Sequence, residues 1–203
     1  MEALCSYLPA SILKYILANE DKVLQPPFRD TYETVVLFAD VSGYTALCEA
    51  MASKGPAGDE HLAKHLNSYF EQLVRIASRE GGDVFKFAGD AIVVVWPHSE
   101  FEDLTTRCRR AGQCALEIQS NLTDAKLQSD VNLNVKVGIG VGSVSILHVG
   151  GVFGRMEYVA TGPPLQQAFL AEHQAVKSEV VCSPEAWERI KDYFDADITP
   201  TTL

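Results

Sequence analysis

The sequence lacks long hydrophobic runs and is poor in basic residues. No stretch approaches the roughly eighteen apolar residues that a membrane-spanning helix needs, and no basic segment followed by an apolar one opens the chain. We therefore expect no membrane span and no secretion signal. Only 17 lysines and arginines stand against 27 aspartates and glutamates, a net charge of -10. Because no basic run offsets phosphate charge, the composition argues against non-specific nucleic-acid binding.

Cysteine motifs and internal repeats are also missing. The 5 cysteines form no CxxC pair and no metal-ligand spacing, so we interpret them as reduced, largely buried thiols of a cytoplasmic protein. With no repeat and no low-complexity tract, 203 residues fit one domain. We predict an N-terminal helix and linker over residues 1–30, packed on a domain that occupies residues 31–203. The cysteines are Cys5, Cys48, Cys108, Cys114 and Cys182.

Two apolar runs each deliver one aspartate to a point where the backbone must turn. Asp40 follows the β-branched and aromatic run 35–39, and Gly43 then opens a predicted helix. Asp90 follows Gly89 between two further apolar runs, which predicts a hairpin. If these strands are neighbours, both carboxylates lie at one edge of a sheet beside a helix start, as in a metal–triphosphate site. The alternative is structural, with Asp40 as a helix N-cap and Asp90 as a turn residue.

The most regular pattern lies between residues 133 and 142, where apolar residues alternate with polar residues or glycine. Such alternation predicts a strand with one face under helices and one face that is open, polar or glycine-lined. Lys136 lies on the second face, where it is either a solvated lysine or a cation that binds phosphate. The glycines of that face are Gly138, Gly140 and Gly142.

The order of the predicted elements gives the fold class. Residues 25–30, with two prolines, predict an extended linker, and the first strand then runs from Thr34 to Asp40. A long amphipathic helix follows with Asp59 as its N-cap, and after it the hairpin and further helices and strands. This order predicts an α+β sandwich in which helices cover one face of a mixed β-sheet.

Three blocks of the chain resemble the signature blocks of class III nucleotide cyclases: residues 38–45, 87–91 and 136–142. Within that family they are similar to the first catalytic half of soluble, bicarbonate-regulated adenylyl cyclases, and the resemblance covers nearly the whole chain. It implies a ferredoxin-like cyclase sandwich whose open sheet face pairs head to tail with a second such domain. Residues 195–199 look like the start of a further strand, so we expect the domain to continue past residue 203.

The resemblance also implies a set of site residues. Asp40 and Asp90 would be catalytic and, with the Val41 carbonyl, would hold two Mg²⁺ ions, which Mn²⁺ can replace. Two metals activate the ribose 3′-hydroxyl for attack on the α-phosphorus and stabilise the leaving pyrophosphate, which converts ATP to cyclic AMP. Lys136 and the local amides would contact the triphosphate; these amides belong to Ser42, Gly43, Tyr44 and Thr45.

Departures from the family pattern concern the complementary half of the active site. Gln166 and Leu170 stand where that half carries an asparagine and a transition-state arginine. An arginine contact on a transferring phosphoryl group is worth about 10³–10⁵ in rate. We therefore expect little activity from the isolated chain, and activity with an arginine-bearing cyclase domain from the same polypeptide or another chain. The alternative is a catalytically silent nucleotide-binding or regulatory pseudocyclase domain that acts through dimerisation.

A second, degenerate cleft binds bicarbonate in the regulated branch, and the resemblance assigns Lys86, Ala160 and Phe169 to it. Lys86 matches the lysine of that site, whereas Phe169 removes the guanidinium expected there. Bicarbonate is thus a candidate ligand whose recognition is put in question by Phe169. The choice between ATP and GTP is carried by the complementary half, so only the branch resemblance favours ATP.

Overall fold

The computed structural model describes residues 8–18, 27–53, 55–122 and 134–197. In these residues, six strands and helices lie between the first helix and the longest strand, and strands then alternate with short helices. The elements are α1 (Ala10–Ala18), β1 (Phe28–Ser42), α2 (Tyr44–Ala52), α3 (Pro56–Arg79), β2 (Asp83–Ala88), β3 (Ala91–Trp96), α4 (Leu104–Leu122), β4 (Asn134–Gly150), a 3-10 turn (Val152–Gly154), β5 (Met156–Thr161), α5 (Pro163–Gln174), β6 (Val180–Cys182) and α6 (Pro184–Ile190).

The six strands form one mixed sheet in the order β2-β3-β1-β4-β5, with β6 added beside β4. The long strands β1 and β4 pair antiparallel along their whole length, from Phe28 opposite His148 to Ser42 opposite Asn134. Strand β6 pairs in parallel with residues 137–139 of β4. The predicted hairpin of β2 and β3 is present, with Ala88 opposite Ala91 across a two-residue turn.

The larger hydrophobic core lies on one face of this sheet, under α3, α4 and α6. Alternate residues of β1 and β4, such as Leu37 and Ile139, point into it because successive side chains of a strand face opposite sides. Helices α3 and α4 contribute apolar residues at helical spacing, such as Leu73 and Ile118. Trp96 is fully buried in this core, and its indole nitrogen donates a hydrogen bond to the carbonyl of residue 80 at 2.9 Å.

The second face carries a smaller apolar cluster and two helices, α1 and α5. Ile12 of α1 and Ala168 of α5 are buried against it. A Cβ atom at Gly138 would collide with the α5 backbone at Ala168, and Gly140 lies equally close to residue 164. The predicted α+β sandwich with a mixed sheet is confirmed, with one refinement. The glycines permit close helix packing, so this part of the face is covered rather than open.

Three predicted boundaries were wrong. Strand β1 begins at Phe28, so part of the predicted linker belongs to the sheet, because β4 is long enough to pair with it. Helix α3 begins at Pro56 with Gly55 at its N-cap, instead of after Asp59. Proline is well tolerated in the first turn of a helix, where its missing N–H is not needed. Residues 195–197 form no strand, and the rest of that predicted strand lies outside the described residues.

Helix α1 is tied to the sheet at its first turn. The Asp83 carboxylate accepts hydrogen bonds from the amides of Ala10 and Ser11, at 2.8 and 2.9 Å. These are amides that a helix start leaves without partners. The division into residues 1–30 and 31–203 itself stays a prediction, since residues 19–26 lie outside the described part of the chain.

Two further sequence expectations concern membranes and thiols. No helix in the described part of the chain has the length and apolarity that crossing a bilayer demands. The four described cysteines are free. Burial raises the pKa of both Cys108 and Cys114 to about 12, so neither is a reactive thiolate at neutral pH. Cys5 lies outside the described residues.

Candidate active site

The two predicted aspartates meet at one end of the sheet. Asp40 lies near the end of β1 and is paired in register with Lys136 of β4. Asp90 occupies the turn between β2 and β3, after Gly89, whose φ of 68° favours glycine. Strand β3 lies beside β1 with Ile92 opposite residue 39, so the turn lies next to the end of β1. Asp40 is therefore not a helix N-cap, because it lies inside β1 and Gly43 precedes α2.

The pKa of Asp40 is raised by its environment. Partial burial is the largest cause, and the negative charges of Asp90 and Glu172 add to it. The Lys136 cation and a hydrogen bond to the backbone of Val41 act in the opposite direction, but less strongly. A bound cation would relieve this effect of neighbouring negative charge on Asp40.

Lys136 does not lie free in solvent. Its ammonium forms an ion pair with the carboxylate of Glu172 on α5, and the side chains are 22% and 10% exposed. Glu172 was not identified from the sequence. The available signal was an acidic residue beside Ala168 and Ala171 on the apolar side of a helix, because a buried carboxylate needs a cationic partner.

The residues around Asp40 fit a hydrated divalent cation. The Tyr69 hydroxyl of α3 is buried without a hydrogen-bond partner, and burial, with the Asp40 charge as a smaller cause, raises its pKa. A buried unpaired hydroxyl beside a carboxylate fits a site that contains water or an ion. The described residues contain no group of three or more His, Cys, Asp or Glu side chains suited to a metal. Two carboxylates, backbone oxygen and water suit Mg²⁺, which retains several waters, better than Zn²⁺.

A helix begins directly after the end of β1, three residues beyond Val41. Strand β1 ends at Ser42, Gly43 adopts a left-handed conformation with φ of 97°, and α2 begins at Tyr44. The first intrahelical bond is donated by the amide of Leu47 to the Gly43 carbonyl at 3.0 Å. The backbone amides before Leu47, including that of Thr45, therefore have no partner within the helix and can donate to an anion.

The predicted second-cleft residues all belong to the same sheet face. Lys86 of β2 is paired with Val93, and Val93 with Phe38, so Lys86 and Phe38 lie in one row across the sheet. Phe169 of α5 contacts Phe38, with ring centroids 4.7 Å apart. Ala160 of β5 packs at the margin of the same apolar cluster. The structure brings these elements to one face, although no direct contact joins Lys86 to Phe169 among the contacts described.

The residues at the complementary positions are on the outer side of α5. Gln166 is exposed, and Leu170 is 55% exposed. Two other apolar residues on the side of the sheet that α5 covers, Phe169 of α5 and Met156 of β5, are at least one third exposed.

The mixed sheet, the two aspartates at its end and the helix start beside them form the arrangement that the sequence blocks predicted for a nucleotide cyclase catalytic domain. Comparison with known families agrees. Residues 28–200 match the family described as adenylate and guanylate cyclase catalytic domain. The chain belongs to this family, as the sequence blocks predicted.

Individual relatives within this family can also be compared with the chain. It is 31% identical over 184 residues to adenylate cyclase type 10 of Oryctolagus cuniculus, covering 88% of this chain and 11% of the relative. The same enzyme of Homo sapiens is 30% identical over 167 residues, covering 80% and 10%. The chain thus spans about a tenth of the length of these relatives. The adenylyl cyclase CyaB of P. aeruginosa has the same fold, with a TM-score of 0.70, 24% identity and coverage of 82% and 84%.

Proposed function

We propose that this chain is the metal-binding half of an adenylyl cyclase, which converts ATP to cyclic AMP and pyrophosphate at an interface with an arginine-bearing cyclase domain. The observation that supports the proposal is that this chain has the residues of a metal–phosphate site but has a leucine at the arginine position. Asp40, Asp90 and Lys136 come together at one end of the sheet. Leu170 stands exposed on α5, where the complementary half would supply the arginine.

The chain's own residues have distinct parts in this chemistry. Asp40 and Asp90, with the Val41 carbonyl, would hold two Mg²⁺ ions, or Mn²⁺ in their place. When bound, these ions lower the pKa of the ribose 3′-hydroxyl and neutralise charge on the pyrophosphate. Lys136 and the amides at the start of α2, from Ser42 to Thr45, bind and orient the triphosphate.

The need for a partner domain follows from the chemistry of α5. Leu170 offers no donor to the negative charge that develops on the α-phosphate, and Gln166 offers only a neutral amide. The exposed apolar residues of α5 and β5 support an association that covers them. A homodimer would hold metals in both clefts and an arginine in neither. The isolated chain is therefore expected to be nearly inactive.

The substrate assignment rests on similarity. Both relatives named above are adenylate cyclases, and this supports ATP as the nucleotide. The base is selected by the complementary half in this reading, so the present residues do not discriminate adenine from guanine. A cytoplasmic location remains a prediction of the same kind, whereas bicarbonate is a candidate ligand of the second cleft whose recognition Phe169 puts in question.

The test is a cyclase assay of the chain alone and mixed with an arginine-bearing domain, with Mg²⁺ or Mn²⁺ and with ATP or GTP. Strong activity only in the mixture, with ATP, supports the proposal. Asp40→Asn and Asp90→Asn should each abolish it, whereas Asp195→Asn at an exposed position should not. Robust turnover by the chain alone contradicts the dependence on a partner.

The alternative is a silent nucleotide-binding or regulatory pseudocyclase that acts through dimerisation. Phe169 and Leu170 on α5 favour this alternative. Both are apolar where the family resemblance implies an arginine, one for anion binding and one for the transition state. Calorimetry distinguishes the two proposals. Metal-dependent ATP binding without cyclisation, whatever the partner, supports the pseudocyclase.

A further inference from the structure

We propose that Glu172 is a positioning residue, which holds the Lys136 ammonium for the triphosphate and away from Asp40. This inference rests on the proposed function, since it assigns a use to the Lys136 cation. It also concerns an acidic residue that lies outside the three sequence blocks, on a helix that carries the exposed residues Phe169 and Leu170.

The position of Glu172 is determined by close packing of the α5 backbone on β4, and not only by the contacts of its own side chain. Helix α5 lies directly on β4 because Gly138 has no side chain to separate them. The Gln167 side chain fixes the helix further, since its amide oxygen accepts hydrogen bonds from the Val141 amide at 2.9 Å and from the Ser183 hydroxyl at 3.0 Å. Glu172 thus reaches Lys136 from a rigid support.

Lys136 needs a fixed acidic partner because it lies next to Asp40. It is paired in register with Asp40, so an unrestrained ammonium on its flexible stem has the Asp40 carboxylate as a nearby partner. A lysine on Asp40 would compete with a divalent cation for the same oxygens. The ion pair with the largely buried Glu172 gives the lysine another partner and leaves Asp40 available.

The geometry also leaves room for a phosphate. An ammonium has three donors, and a carboxylate partner need not take them all. Glu172 is 8% exposed, so it does not reach out into the cleft where a ligand would lie. The Lys136 side chain is more exposed than that of Glu172. The cationic end of the pair is therefore the end nearer to solvent, from which a phosphate would approach.

The first experiment needs no nucleotide and no activity. The ammonium of Lys136 is observed by nitrogen-15 NMR, assigned with Lys136→Gln, in the wild-type chain and in Glu172→Gln. We expect a slowly exchanging, hydrogen-bonded ammonium signal that Glu172→Gln removes. The control is Glu188→Gln, which breaks the exposed ion pair of Glu188 with Lys191 and should leave the Lys136 signal in place. Persistence of the Lys136 signal in Glu172→Gln overturns the proposal.

The second experiment measures binding of magnesium pyrophosphate by calorimetry in a double-mutant cycle. Glu172→Gln should weaken binding about tenfold, the size expected for one misplaced charge-assisted hydrogen bond, and should have no further effect in Lys136→Gln. Equal weakening in both backgrounds, or tighter binding by Glu172→Gln, overturns the proposal. Circular dichroism of each variant verifies folding. If wild type binds no pyrophosphate, the proposed function fails, while the NMR result still decides the role of Glu172.

Discussion

The ring of Phe169 meets the ring of Phe38 edge-on, with centroids 4.7 Å apart and an interplanar angle of 81°. Phe38 lies two residues before Asp40 and points to the same face of the sheet. An aromatic contact therefore occupies the place where the family resemblance implies an anion-binding arginine. The exposed Lys86 lies in the same row of the sheet as Phe38 and is the cation that the family resemblance assigns to this place.

The first prediction concerns bicarbonate. In an assay mixed with an arginine-bearing domain, the wild-type chain should show no response to bicarbonate, because one exposed lysine is a weak anion site. Phe169→Arg should create a severalfold response, which Lys86→Ala should remove. Phe101→Arg, at a phenylalanine that is 96% exposed, controls for added positive charge. An equal response in wild type and Phe169→Arg would contradict the interpretation of Phe169.

A second prediction concerns the missing arginine. Combining Leu170→Arg with Gln166→Asn should raise the activity of the isolated chain at least about a hundredfold, because both clefts of a homodimer would then contain metal ligands and an arginine. Leu170 is 55% exposed, so the substitution does not disturb the core. Turnover of ATP with Mn²⁺, at concentrations that permit dimerisation, is the measurement.

The matched control for this variant is Leu116→Arg, at a leucine of α4 that is 47% exposed. It adds the same charge to another helix and should leave activity at the wild-type level. Unchanged activity of the Leu170→Arg, Gln166→Asn variant, despite a dimer detected by ultracentrifugation, would show that α5 does not serve the opposite cleft.

The third prediction follows from the raised pKa of Asp40. A carboxyl whose pKa is higher in the folded than in the unfolded chain adds stability below its unfolded pKa and loses it as pH rises through the folded pKa. Ionised Asp40 thus destabilises the metal-free protein at neutral pH. Asp40→Asn should raise Tm at pH 7 by about 1–2 °C, a small effect because solvent screens a partly exposed carboxyl.

This gain should disappear as pH falls below about 4, where Asp40 is neutral in both states. Thermal unfolding from about pH 3 to pH 8 without metal is the measurement, with the exposed Asp195→Asn as the control. Mg²⁺ should stabilise wild type but not Asp40→Asn. A lower Tm for Asp40→Asn at pH 7 would contradict the sign of this argument.

The sequence predicted much of this site because its signals are local. A β-branched and aromatic run predicted β1, alternation of apolar residues predicted β4, and Gly89 followed by Asp90 between apolar runs predicted the hairpin. Asp40 and Asp90 lie at the ends of the elements so predicted, and their meeting needed only the assumption that the strands are neighbours. The order β3-β1-β4 confirms that assumption.

What the sequence did not predict depends on packing between distant segments. Glu172 becomes significant only when α5 is placed on Gly138, since the acid and Lys136 are 36 positions apart. The alternating glycines were interpreted as an open face, although a glycine within a strand also signals close backbone approach. From the sequence, Tyr69 is an ordinary core residue of α3. Its unpaired hydroxyl becomes notable only because the fold places it near Asp40.

The last prediction concerns His148, which connects α1 to the sheet. Its ring stacks on Phe28 and Tyr15, with centroids 4.2 and 5.0 Å away, and its Nε2 lies 3.4 Å from the Asp30 carboxylate. Burial lowers the pKa of His148, and Asp30 opposes this without cancelling it. The unfolded chain therefore binds the proton more readily, so stability falls as pH drops below about 6.5 toward the folded pKa.

The variant His148→Phe retains an aromatic ring for the stack but cannot be protonated. Between about pH 7.5 and pH 5.5 its Tm should fall by about 2 °C less than that of wild type, since roughly 1 kcal/mol corresponds to 2–4 °C in a domain of this size. His98→Gln, at an exposed histidine, controls for loss of a titrating group. Hydrogen exchange should locate the acid-induced loss of protection in α1, because Tyr15 of that helix rests on His148. Equal pH dependence in wild type and His148→Phe would mean that Asp30 fully compensates for the burial of the imidazolium.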